Sequence, residues 1–141
     1  MSLGDTARAM SQENVEALRN GYRAFNRGDL EAVIALCDPD VEYDLSRRTF
    51  DPGVYRGHEG LRENFSLMAQ AWATMRQEPQ DFIVAGDSVV VPIRFVGVGK
   101  LSGVETTANA AHVWRFRSGK VVHQTTFQTL DEALEAVGLS E

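Results

Sequence analysis

Apolar residues recur every three or four positions through the first half of the chain and at every second position through much of the rest. Val15, Leu18, Tyr22 and Phe25 fall on one stripe of a helix that Ser11 caps and that ends near Gly28. Glu13, in its first turn, suits the positive end of the helix dipole. Asp29 caps a second, short helix with Leu30, Val33, Ile34 and Cys37 on its apolar side, and Asp38-Pro39-Asp40 stops it. Residues 41–45 alternate and predict a short strand. Residues 46–57 are irregular, turn at Pro52-Gly53, and place Arg47, Arg48 and Arg56 near Asp44 and Asp51, as a rim or lid would. The stripe Leu61, Phe65, Met68 and Trp72 predicts a third helix over residues 58–75.

From Asp81 the period changes to two. Residues 81–85 and 88–98 read as strands joined by Gly86-Asp87, with Pro92 marking an edge or a bulge. Residues 108–129 read as two long strands that turn at Ser118-Gly119. With those two residues as the loop, Phe116 faces Val121, Trp114 faces His123, His112 faces Thr125, Ala110 faces Phe127 and Ala108 faces Thr129. Alternation puts this set on one face, while Arg115 and Arg117 turn to solvent. Small alanines opposite Phe127 and Thr129 either pack simply or leave a hollow. A three-residue loop with a bulge at Gly119 would shift every pair by one. Residues 130–137 predict a last short amphipathic helix. The sum is an α+β domain: three N-terminal helices packed on a strongly curved antiparallel sheet, a short strand inserted early, and a short C-terminal helix. Residues 1–10 lack periodicity and are expected to form a flexible leader, with residues 11–141 as a single domain.

Composition narrows the function. The chain has 141 residues and a formal net charge of -6, against the clustered Lys and Arg of a nucleic-acid footprint, so no nucleic acid is expected as a partner. The one cysteine, Cys37, excludes an internal disulfide, and its apolar neighbours predict a buried, inert thiol. No apolar run approaches the ~20 residues of a membrane span. The N-terminus lacks an apolar signal core. A soluble cytoplasmic protein without membrane attachment is the expectation.

Five segments, FNRGDLEAV (25–33), DPDVEY (38–43), YRGHEGLREN (55–64), HVWRFRSGKVV (112–122) and DEALEAVGL (131–139), resemble in order the nuclear transport factor 2-like superfamily, in its SnoaL-like, polyketide cyclase-like branch. The resemblance covers residues 11–141. It implies a cone of helices closed against a bent sheet, an apolar pocket inside, and a homodimer formed through the outer sheet face. The same fold hosts isomerases, cyclases, dehydratases, epoxide hydrolases and non-catalytic binders. Members of this branch often carry an acidic residue near the end of the last strand, with a Tyr two residues before it. Here those positions hold Thr129, which cannot act as a carboxylate base, and Phe127, which cannot donate a hydrogen bond.

The candidate catalytic groups that remain are His112, as general base, and Asp44 beside it if its strand turns that way. His112 and His123 have a plainer reading as core histidines bonded to threonine or backbone. Tyr22, Tyr43, Trp72, His112, Trp114, Phe127 and Thr129 are the candidate walls of a ligand pocket, most of them joining an apolar body to a polar tip. Phe25 and Phe65 read as core. No close-spaced His and carboxylate motif predicts a metal, and the glycines of residues 97–103 do not form a phosphate loop, so no metal or cofactor is expected. Two functions follow: a binder of a small hydrophobic, cyclic or aromatic molecule, or an isomerase, cyclase or hydrolase using a pocket histidine as base.

Overall fold

The computed structural model describes residues 2–139. Helix α1 (Leu3–Asn26) starts at Ser2, whose Oγ accepts the Asp5 amide, rather than at Ser11. Its first turns carry exposed side chains, so no apolar stripe announces them. Helix α2 (Leu30–Ala35) is capped by Asp29, as the sequence predicts. Strands β1 (Cys37–Asp44) and β2 (Val54–Arg56) form an antiparallel pair, and α3 (Gly57–Ala71) follows. The predicted third helix was too long. Its stripe continues in period through Trp72, but Trp72 is already extended and pairs with Gly99 as the first residue of β3 (Trp72–Pro79).

Strands β4 (Ile83–Ala85), β5 (Ser88–Gly99), β6 (Glu105–Arg117) and β7 (Lys120–Phe127) complete the sheet, and α4 (Leu130–Ala136) closes the chain. The strand order is β2-β1-β7-β6-β5-β3, with β4 beside β5. The sheet is mixed, not wholly antiparallel, because β1 runs parallel to β7. It is curved and does not close on itself. Pro92 lies between the part of β5 that pairs with β4 and the part that pairs with β3, where the ladder is interrupted and a missing N–H costs little.

Helices α1, α2 and α3 cover the inner face. Leu18, Tyr22 and Phe25 of α1, with Leu61, Phe65 and Met68 of α3, join Val89, Val91 and Ile93 of β5 in the main core. On the outer face α4 covers a smaller cluster, Val90, Ala111, Phe127 and Ala133. Among the described residues no helix is long and apolar enough to cross a membrane.

The hairpin of β6 and β7 turns at Ser118 and Gly119, both with positive φ, the geometry of a two-residue turn. Arg117 pairs with Lys120 and Phe116 with Val121. The next pair is Arg115 with His123, so Val122 is an extra residue, a bulge in β7. Every pairing beyond it moves by one from the expected register. Trp114 pairs with Gln124, His112 with Thr126 and Ala111 with Phe127.

Candidate functional site

A cavity of about 420 Å³ lies between the helices and the inner sheet face. Its apolar walls come from Phe25 of α1, Phe65 and Met68 of α3, Ile93 and Phe95 of β5, and Ala108 and Ala110 of β6. Trp72 and Phe95 stack edge to face at 5.1 Å, and Tyr43 meets Trp114 edge to face at 5.8 Å. Such contacts fix ring orientation and leave rigid planar walls.

A polar cluster joins α1 to β6. The Trp114 indole N–H donates to the Tyr22 hydroxyl at 2.9 Å, and that hydroxyl lies 2.7 Å from His112 Nδ1. The Tyr22 and His112 rings are parallel within 2°. The Tyr22 oxygen accepts from the indole, and its own hydrogen needs an acceptor. His112 Nδ1 is the acceptor beside it, so the histidine proton sits on Nε2. Burial, helped by the positive charge of Arg48, lowers the His112 pKa to about 3, so the ring is neutral. Burial likewise raises Tyr22 and Tyr43 well above the usual phenol range.

Among the described residues Nε2 of His112 has no partner, although His112 is only 4% exposed. No enclosed side-chain nitrogen or oxygen among the described residues lacks a hydrogen bond. Nε2–H is therefore not enclosed, and it opens to the cavity that His112 lines. Gln124 repeats the arrangement. Its Oε1 accepts from the Thr126 hydroxyl at 3.0 Å, while its amide nitrogen has no partner among the described residues and Gln124 lines the same cavity. The sheet wall of the cavity thus carries two neutral side-chain donors, His112 and Gln124.

Of the sequence-predicted walls, Tyr22, Tyr43, Trp72, His112 and Trp114 line the cavity together, and Phe127 borders it while packing beneath α4. Thr129 does not. It is exposed and caps α4, accepting the Glu132 amide at 3.2 Å, because the chain leaves the sheet after Phe127. Asp44 also lies outside. Tyr43 takes the inward position on β1, so Asp44 turns away, where hydrogen bonds from Ser46 hold its carboxyl below the usual range. The Val122 bulge carries His123 to the other face, 3.3 Å from Glu42.

Gln124, Thr126 and Asn64 were missed by the sequence reading, which placed Arg48 only on a rim or lid. Asn64 had a usable signal, since it falls beside Phe65 on the buried side of α3. Arg48 donates to the backbone oxygens of Phe50 and Asp51 and to Asn64 Oδ1 at 2.9 Å. Cys37 is buried, and its thiol is pushed up to about 11. Among the described residues no three His, Cys, Asp or Glu side chains converge as a metal site.

The SnoaL-like domain model matches residues 18–124. Among solved structures, an NTF2-like protein of unknown function from Burkholderia pseudomallei is 28% identical at a TM-score of 0.73, covering 89% of this chain and 98% of its own. TerC, co-crystallised with polyporic acid, is 27% identical with TM-score 0.74 over 89% of this chain and 98% of its own. IdmH from Streptomyces antibioticus, described as a putative polyketide cyclase, is 25% identical with TM-score 0.70 over 81% and 90%. No curated protein matches the chain significantly.

Proposed function

The chain belongs to the SnoaL-like domain family, and we propose that it binds a small cyclic or aromatic molecule, one of whose oxygens accepts a hydrogen bond from His112 Nε2–H. The observation that carries this reading is that His112, 4% exposed, lines an aromatic cavity while its Nε2 has no partner among the described residues. A neutral imidazole N–H can meet a carbonyl or hydroxyl oxygen and replace the water bond the ligand gives up. A cavity near 420 Å³ suits a ligand of two or three fused rings. The crystal of TerC with polyporic acid supports an aromatic ligand here by similarity.

A general-base role for His112 has little support. Its Nδ1 lone pair is committed to Tyr22, its Nε2 already bears a proton, and a pKa of about 3 makes it a poor base. If the protein turns its ligand over, His112 and Gln124 act as donors that stabilise oxygen charge, the term a cyclase or isomerase needs at an enolate. This second reading draws on the paired donors and on the similarity to IdmH. The same proposal has two copies associating through the outer sheet face, which sedimentation equilibrium checks.

Trp72 and Trp114 both line the cavity and report on it. Titration with 2-acetylnaphthalene, flavone and a steroid enone should quench their fluorescence saturably for at least one ligand. His112→Phe, which keeps a flat ring and removes the donor, should weaken that ligand about five-fold, roughly one hydrogen bond. Absence of saturable binding across the set would contradict the reading.

A further inference from the structure

We propose that the natural ligand is an anion, a cyclic carboxylic acid or comparably acidic enol, whose charged oxygens are held by Arg48 while a second oxygen meets His112. This rests on the reading of the cavity as a ligand site and adds the ligand's charge to it.

The charge distribution carries the inference. The chain has 20 acidic and 14 basic residues, yet the described residues that line the cavity include Arg47 and Arg48 and no aspartate or glutamate. Among the described residues, an acidic protein has placed only positive charge around this apolar hollow. Low-dielectric walls bearing a single sign of charge concentrate that field on whatever enters. Arg47 is partly neutralised by Asp44 at 3.6 Å. Arg48 has no carboxylate within ion-pair distance among the described residues. Asp51 gives it a backbone oxygen as hydrogen-bond acceptor, while the Asp51 carboxylate acts on it only through space.

Arg48 is also held in place. Its Nε donates to the Phe50 oxygen, and the two hydrogens of Nη2 go to the Asp51 oxygen and to Asn64 Oδ1, with Asn64 itself 2% exposed. Those neutral acceptors orient the guanidinium without cancelling its charge. Among the described residues Nη1 makes no hydrogen bond of good geometry, and the nearest side-chain hydroxyl to the guanidinium is that of Tyr55. A staple between the loop and α3 would need only the three bonds already made. Half burial of a cation with no directly paired carboxylate costs stability, and a ligand carboxylate would offset that cost. A guanidinium fixed with free N–H groups is well suited to such an oxygen pair. Arg48 and His112 act on one space, since the Arg48 charge contributes to keeping the imidazole neutral.

The test compares 2-naphthoate with 2-naphthamide, which share shape and a carbonyl and differ in charge, by calorimetry at pH 7.5. Wild type should bind the naphthoate about ten-fold or more tighter than the amide. Arg48→Gln should remove most of that ratio while leaving the amide within about three-fold. Should Arg48→Gln lose its fold by circular dichroism, Arg48→Lys decides by the same ratio, which should fall because the fork is lost. Equal binding of the two ligands to wild type would overturn the charge assignment and leave the cavity reading standing. A ratio that survives substitution at Arg48 would overturn the role of that residue. Binding of neither probe, together with silence from the neutral ketones, would overturn both readings.

Discussion

The Tyr22 hydroxyl lies 2.7 Å from Nδ1 of His112, across ninety residues of sequence. That one bond ties α1 to the middle of β6, selects the histidine tautomer, and turns the Nε2 proton toward the cavity. Trp114 supports it from behind by donating to the same oxygen. A side chain suspected of catalysis as a base is thereby made a donor.

Tyr22→Phe should expose how much depends on the hydroxyl. The change leaves the Trp114 N–H and His112 Nδ1 without their partner in a buried place. Urea unfolding should show a loss of about 2–4 kcal/mol, the cost of two stranded polar groups. A loss within about 0.5 kcal/mol would mean that the hydroxyl network contributes little.

Acid stability should carry the signature of His112. Below pH ~6.5 the unfolded chain takes up a proton at this residue, and the folded chain refuses it until about pH 3. Unfolding therefore binds a proton across that window, and stability falls as pH falls. Above it neither state holds the proton and the slope from His112 vanishes. Between pH 7 and 5 wild type should lose about 2 kcal/mol more than His112→Gln. Asp44, whose carboxyl is held low, adds its loss only in the more acidic carboxylate range. Parallel pH profiles for the two proteins would contradict the burial account.

Gly97→Ala should disturb the cavity wall from behind. A Cβ there would come within 2.7 Å of the Trp72 ring and 2.8 Å of the Phe95 ring. Neither ring can withdraw freely, because each packs on the other. Unfolding free energy should drop by about 1–3 kcal/mol, with a change in tryptophan near-ultraviolet circular dichroism.

Thr129→Ala separates a cap from a pocket residue. Loss of the side-chain bond to the Glu132 amide should cost about 1 kcal/mol through α4. Ligand affinity measured on the same variant should be unchanged, since Thr129 lies outside the cavity.

The fold was legible because its signals were redundant. The caps at Asp29, the turns at Gly86-Asp87 and Ser118-Gly119, and the change from a three-to-four to a two-residue period each marked an element that is present. What went astray shares a physical cause: a tertiary choice without a local mark. The stripe Leu61, Phe65, Met68, Trp72 keeps helical spacing through the residue at which the chain becomes extended. The early turns of α1 face solvent and so carry no apolar pattern. The cavity wall was readable as aromatic residues with polar tips, and Tyr22, Tyr43, Trp72, His112 and Trp114 do meet there. Val122 was decisive for the rest. One bulged residue in a run of Val-Val-His moved His123 and Thr125 off the inner face and put Gln124 and Thr126 there, and nothing in that run distinguishes a bulge from regular strand. Arg48 was legible only as a rim residue, since an irregular segment gives no period from which to infer a facing direction.

The most direct test is the ring-nitrogen spectrum of His112, by two-bond hydrogen–nitrogen correlation on labelled protein between pH 5 and 8, with His112→Gln to assign the signals. A neutral ring, protonated at Nε2 and unchanged across that range, whose Nε2–H signal moves when a ligand saturates the cavity, is the expected result. A ring protonated at Nδ1, or one titrating near the ordinary value of ~6.5, would contradict the donor role and return His112 to consideration as a base.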